Sequence, residues 1–181
     1  MRIIAGTLGG RQIHEPHGHR THPMSEKIRG ALFNALGDIE GLTFLDAFAG
    51  SGALAIEAIS RGAKSVIAVD VDRRAHDALK RNILELGLSG GIKAIRANAS
   101  GWSDNNPRVK FDLVLSAPPY DDLQPSLVRK LTKHTKKGGL YVLDWPGKIA
   151  LPEFDGFERV TSKDYGDAQL AFYRKINKRE T

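Results

Sequence analysis

An α/β fold on a mostly parallel sheet is predicted by three observations. Strand-like and helix-like runs alternate from Leu42 to about residue 144. A glycine-rich turn, Gly50-Ser51-Gly52, joins the first strand of that series to its first helix. After residue 150 the alternation stops, and two strand-like runs follow with no helix between them. Alternation implies parallel strands joined by right-handed crossovers. The tail reads instead as an antiparallel hairpin closing one sheet edge.

The chain has 181 residues, enough for one domain with a hydrophobic core. Residues 1–181 are therefore read as a single domain, with an arm at 1–23 and a core at 24–181. No apolar run suits a bilayer span and MRIIAG lacks a signal-peptide core, so the expectation is a cytoplasmic protein with no membrane contact. Cysteine is absent, which excludes disulfides and cysteine zinc sites. The formal charge of +6 favours a polyanionic partner.

The elements follow in order. Arg2–Ala5 and Arg11–Ile13 form a small β-hairpin around Gly9-Gly10, and Pro16, Gly18 and Pro23 then keep the chain irregular. His14, His17, His19 and His22 lie here without cysteine or a helical pair. The arm reads as a polar surface for phosphates, and no metal is expected. Ser25 caps a helix that ends at Gly37, with Ile28, Leu32, Phe33 and Leu36 as its apolar stripe and Lys27 and Arg29 pointing elsewhere. Strands are expected near 43–47, 65–69, 92–96, 111–116 and 139–144. Helices are expected near 52–61, 73–86 and 124–136, ended by Gly62, Gly87 and Gly138. Phe157–Ser162 and Gln169–Lys175 make the tail hairpin.

The first strand ends on Asp46 and runs through Ala47, Phe48 and Ala49 into the glycine turn. Such a turn at a helix N-terminus offers backbone N–H groups to a ligand. The second strand ends on Asp70, about twenty residues further on, where a carboxylate can accept both hydroxyls of an adenosine ribose. The loop alone fits NAD or S-adenosylmethionine. Asp46 separates them: a carboxylate gains nothing beside a pyrophosphate, whereas the methionine half of S-adenosylmethionine carries an ammonium group. The fourth strand closes with Ser116 and runs into Ala117-Pro118-Pro119-Tyr120, a rigid turn at the carboxyl end of a parallel strand.

D-x-F-x-G-S-G, an acidic second strand end and a Pro-Pro-Tyr turn resemble class I amino-methyltransferases. MRIIAG, H-P-M-S-E-K-I-R-G-A-L-F-N at 22–34, FAGSGALAIEAISRGAKSV at 48–66 and FD-x-V-x-x-x-PPY at 111–120 resemble, more narrowly, the bacterial small-subunit (16S) ribosomal RNA guanine-N2 methyltransferases. The resemblance covers most of residues 1–145. It implies a Rossmann-like seven-stranded sheet, mostly parallel, with a C-terminal antiparallel hairpin. It also implies a monomer that acts on ribosomal RNA or the small ribosomal subunit particle.

It further implies that Asp46, Ala47, Phe48, Ala49, Gly50, Ser51 and Gly52 hold the methionine portion of S-adenosylmethionine. Asp70 takes the ribose, Val71 lies against the adenine, Asn98 and Ala99 read its amino group, and Ser116 closes the site. The target guanine enters the crevice and stacks on Tyr120, and carbonyls of the Pro118-Pro119 turn accept its amine hydrogens. The family presents Asp or Asn where this chain has Ala117. One missing transition-state acceptor costs about 10²–10³ in rate, so an impaired or engineered inactive form is expected. Arg2, Arg11, Arg20, His22, Lys27 and Arg29 are the expected phosphate contacts, His22 standing where the family has arginine. Arg129, Lys130, Lys133, Lys136 and Lys137 read as a solvated helix face. The alternatives are an adenine-N6 nucleic-acid methyltransferase and a non-catalytic RNA-binding or assembly factor that retains the cofactor. An NAD oxidoreductase is more distant.

Overall fold

The computed structural model describes residues 1–16 and 24–176. Helix α1 (Glu26–Leu36) comes first, its Ser25 Oγ accepting from the Ile28 amide and Gly37 leaving at φ 71°. Strand β1 (Thr43–Asp46), helix α2 (Ala53–Ser60), β2 (Ser65–Asp70), α3 (Arg73–Glu85), β3 (Ile92–Arg96), α4 (Ala99–Asn105), β4 (Phe111–Ser116) and α5 (Pro125–Leu131) then alternate. Strands β5 (Thr135–Pro146), β6 (Phe157–Asp164) and β7 (Ala168–Lys175) complete one seven-stranded sheet, ordered β3-β2-β1-β4-β5-β7-β6. Strands β1 to β5 pair in parallel, while β7 is antiparallel to both β5 and β6. No helix of the described residues is long and apolar enough to cross a membrane.

The expected alternation holds, with two differences among the helices, and the expected tail hairpin is present. Helix α4 occupies a stretch expected only as a strand end and loop; Asn98 caps it by accepting from the Ser100 amide. Helix α5 stops at Leu131 and tightens into a 3₁₀ turn over Thr132–His134 rather than continuing to 136. Buried His134 anchors that turn, 2.7 Å from both Ser103 Oγ and the Val109 carbonyl. Gly138 consequently lies inside β5 and ends no helix. In the tail it is β7, the later strand, that adds to β5, which leaves β6 at the edge.

Side chains alternate across each strand, so the sheet separates two cores. Phe44, Leu113, Leu115 and Val142 face one cluster, shared with Leu32, Phe33, Ile56 and Leu79. Leu45, Val114, Tyr141 and Leu143 face the other, with Trp102, Val128 and Leu131. The N-terminal hairpin belongs to the first layer. It is an Arg2–Gln12 bridge with Ile3 and Ile13 buried beneath it. All five parallel strands end at one edge of the sheet, where Asp46, Asp70 and the turn after Ser116 meet.

Candidate active site

Asp46 is fully buried at the end of β1, and neither carboxylate oxygen finds a hydrogen-bond partner among the described residues. Burial, reinforced by the neighbouring Asp70 charge and only partly relieved by the Phe48 amide, pushes its pKa up to about 7. A buried unpaired carboxylate is costly. A cationic group docked beside it removes that cost, which is the observation that fits this site to an ammonium-bearing ligand.

The glycine turn is less open than its pattern suggests. The Ala47 amide donates to the Leu115 carbonyl at 3.1 Å, Ala49 to Val69 at 3.0 Å, and Gly52 to Ala49 at 2.9 Å. The Gly50 amide donates to Asp70 Oδ2 at 2.8 Å, and Asp70 Oδ1 accepts from the Asp72 amide at 2.8 Å. Four loop amides are thus committed within the protein, and two carboxylates flank them. This corrects the expectation of a turn whose N–H groups face outward. A pyrophosphate requires free amides and repels these carboxylates, so the geometry disfavours a dinucleotide. Gly52 sits at φ 91°, and a Cβ there would lie 2.3 Å from Leu79 Cδ1. The left-handed φ is what favours glycine there, and the close approach of Leu79 adds to it.

Asp70 retains lone pairs for a ribose, because each oxygen can accept twice. Val71 is 63% exposed at the next position, an apolar side chain suited to a base face. Asn98 Oδ1 is occupied as the α4 cap, accepting from Ser100 N at 2.8 Å. The second lone pair of Oδ1 and the amide hydrogens of Asn98 are left to meet a ligand, and Ala99 is buried next to it. Ser116 Oγ is buried without a partner at the end of β4.

Across the sheet, Pro118 is buried and Tyr120 is 44% exposed. Tyr120 is tethered: its hydroxyl donates to Asp144 Oδ1 at 2.5 Å and lies 3.2 Å from the Trp145 carbonyl. Burial first, then the Asp144 carboxylate, raises the Tyr120 pKa, and burial lifts Asp144 to about 6 against the relief its hydrogen bond to Tyr120 provides. Asp144 was not among the sequence candidates. Its signal was an acid at a predicted strand end, the same signal that selected Asp46 and Asp70. Asp121 and Asp122 are exposed beyond the turn.

The expected phosphate contacts divide. Arg2, Arg11 and Lys27 are exposed, Arg2 pairing with Glu26 at 3.2 Å. Arg20 and His22 lie outside the described residues. Arg29 is a correction. It is fully buried, its Nε 3.5 Å from Glu57 Oε1, and its Nη2 donates to the Arg2 carbonyl. Burial lowers the Arg29 pKa and the Glu57 charge opposes that shift. Glu57 also accepts from the Ile4 amide at 2.9 Å, the Ala5 amide at 3.1 Å and Arg61 Nε at 2.9 Å. Arg29 therefore fastens the hairpin to α2 and cannot reach a phosphate. Asn82, also unforeseen, donates to the Ser51 carbonyl at 3.1 Å and exchanges two hydrogen bonds with the His14 backbone, tying the glycine turn to the N-terminal arm.

Comparison with known proteins identifies the family and the fold. The family described as "Conserved hypothetical protein 95" matches residues 1–174. "Putative rRNA methyltransferase YlbH" of Bacillus subtilis is 31% identical over 97% of this chain and 99% of its own length. "Ribosomal RNA small subunit methyltransferase D" of Escherichia coli is 36% identical over 66% of this chain, and the match spans 60% of that protein's length. Among solved structures, "Putative methyltransferase yhhF from Escherichia coli" superposes with a TM-score of 0.85 at 25% identity, over 98% of this chain and 99% of that one.

Proposed function

Since the chain belongs to the conserved hypothetical protein 95 family, that of ribosomal RNA small subunit methyltransferase D, we propose that it transfers the methyl group of S-adenosylmethionine to the N2 amine of a guanine in small-subunit ribosomal RNA. The observation that carries this reading is Asp46, a buried carboxylate without a partner behind a glycine turn whose amides are already used. S-adenosylmethionine supplies both the ammonium group that Asp46 lacks and an electrophilic methyl on sulfonium. Asp70 and Val71 receive its adenosine. The Pro118-Pro119 turn orients the amine, and Tyr120 offers a ring face held in place by Asp144. Arg2, Arg11 and Lys27 hold the RNA backbone.

Titration calorimetry with S-adenosylmethionine and a methylation assay on small-subunit ribosomal RNA, with and without ribosomal proteins, test the proposal. Asp46→Asn should weaken donor binding about 10–100-fold, the worth of one hydrogen bond to a charged group. Equal affinity in the two proteins would remove Asp46 from the site. Mapping the methyl group to an adenine would replace guanine N2 with the adenine-N6 alternative.

Ala117 favours a second reading. An assembly factor that keeps the donor pocket but does not turn over would bind S-adenosylmethionine normally and methylate neither RNA nor particle.

A further inference from the structure

Methyl transfer to guanine N2 needs an acceptor for an amine hydrogen, because the nitrogen lone pair is delocalised into the ring until a hydrogen-bond acceptor draws it out. Ala117 has no such group. The register identifies what stands beside it. Ser116 on β4 pairs with Leu143 on β5, so one step further along both strands Ala117 is level with Asp144. Neighbouring strands lie about 4.8 Å apart. Side-chain parity puts the two on one face: Leu113 and Leu115 lead to Ala117, Val142 leads to Asp144, and all three leading residues belong to the same core cluster. Asp46 shares that face on the other side, since Phe44 lies in the same cluster and Asp46 pairs with Leu115. Position 117 therefore has Asp144 beside it on one neighbouring strand, while Asp46 lies on the other neighbour two residues back, level with Leu115.

Asp144 also has a free side. Tyr120 occupies Oδ1, and no hydrogen bond among the described residues reaches Oδ2. The hydroxyl of the ring that is expected to stack on the target base donates its hydrogen bond to this carboxylate.

Building on the methyltransferase reading above, we infer that Asp144, steadied by Tyr120, accepts the amine hydrogen of the target base in place of the acceptor that Ala117 cannot offer. The amine lone pair forms the new N–C bond, the methyl carbon's bond to sulfur breaks with its electron pair remaining on sulfur, and the amine proton leaves to the Asp144 carboxylate. The missing acceptor is thus moved one strand across the sheet, and this chain is an active enzyme as it stands.

The test uses the full chain and Asp144→Asn, alone and combined with Ala117→Asp. Asp144→Asn should slow single-turnover methylation of small-subunit ribosomal RNA about 10²–10³-fold, with the S-adenosylmethionine Kd unchanged within about twofold on the binding scale used above. Adding Ala117→Asp to that variant should recover at least about tenfold of the loss. A readout independent of turnover is the phenol titration of Tyr120, isolated by comparison with Tyr120→Phe; Asp144→Asn should let Tyr120 ionise at lower pH. Unchanged methylation in Asp144→Asn, absent rescue, an unmoved Tyr120 titration, or loss of donor binding or of folding in that variant would each overturn the inference. Absence of methylation by the unaltered protein would instead overturn the proposed function, and this assignment with it.

Discussion

Asp46 and Glu57 are both fully buried carboxylates on the same side of the sheet, eleven positions apart in the chain, yet their surroundings are opposites. Glu57 is met by two backbone amides, Arg61 and Arg29. Asp46 has no side-chain partner and no well-formed hydrogen bond, only weak relief from the Phe48 amide, and the charge of a second acid, Asp70, acts against it. Burial alone therefore does not mark a functional acid. A buried charge with its partners in place holds structure together, as Glu57 holds the hairpin, α1 and α2. A buried charge without them stores a cost that a ligand can relieve.

Removing the charge of Glu57 should have the largest effect on stability. Glu57→Gln leaves Arg29 buried and uncompensated, so a loss of about 3–5 kcal/mol is expected in denaturant unfolding. A loss under about 1 kcal/mol would mean that the hairpin seam does not depend on this charge.

At Asp46 the sign reverses. Its pKa is raised from the ordinary carboxylate range to about 7. The neutral form is therefore favoured on folding, and its contribution is complete below about pH 4 and fades as pH climbs through about 7. Asp46→Asn cannot ionise and escapes that loss. Relative to the unaltered protein it should gain stability between pH 4 and 8, by at most about 4 kcal/mol. Parallel stability–pH curves for the two proteins would contradict the account of Asp46 as an unpaired charge. Saturating S-adenosylmethionine should raise the unaltered protein's Tm more than that of Asp46→Asn.

The smallest stability effect belongs to Arg11, exposed on the hairpin that Glu57 secures. Arg11→Ala should change stability by no more than about 0.5 kcal/mol. It should reduce the salt dependence of RNA binding by about one phosphate contact. An unchanged slope would place the RNA on another face.

Much of the cofactor half was legible in the sequence because its chemistry is local. Strand, acid, glycine turn and helix follow one another over Thr43–Ser60, and Asp70 closes the next strand in the same rhythm. The alternation of strand-like and helix-like runs located five parallel strands, and the Pro-Pro-Tyr turn identified the end of β4. Arg29 shows where this reading stops. On α1 alone it lies off the apolar stripe and reads as a solvated cation; only the approach of α2, bringing Glu57 to it across nearly thirty residues, makes a buried position tolerable.

The sequence by itself determined the α/β class, the family, the glycine turn with Asp46 and Asp70, and the absence of a side-chain acceptor at position 117. Each depends on short local patterns, taken singly or in series along the chain, where spacing translates directly into geometry. The tertiary structure decided which acids are satisfied and which are not, that β7 rather than β6 joins β5, and that Asp144 stands level with Ala117. The last of these extends the Ser116–Leu143 pairing by one step, and all depend on strand register and on packing between distant segments. A single-residue shift in register would turn Asp144 to the opposite face, and no local pattern in the chain encodes that register.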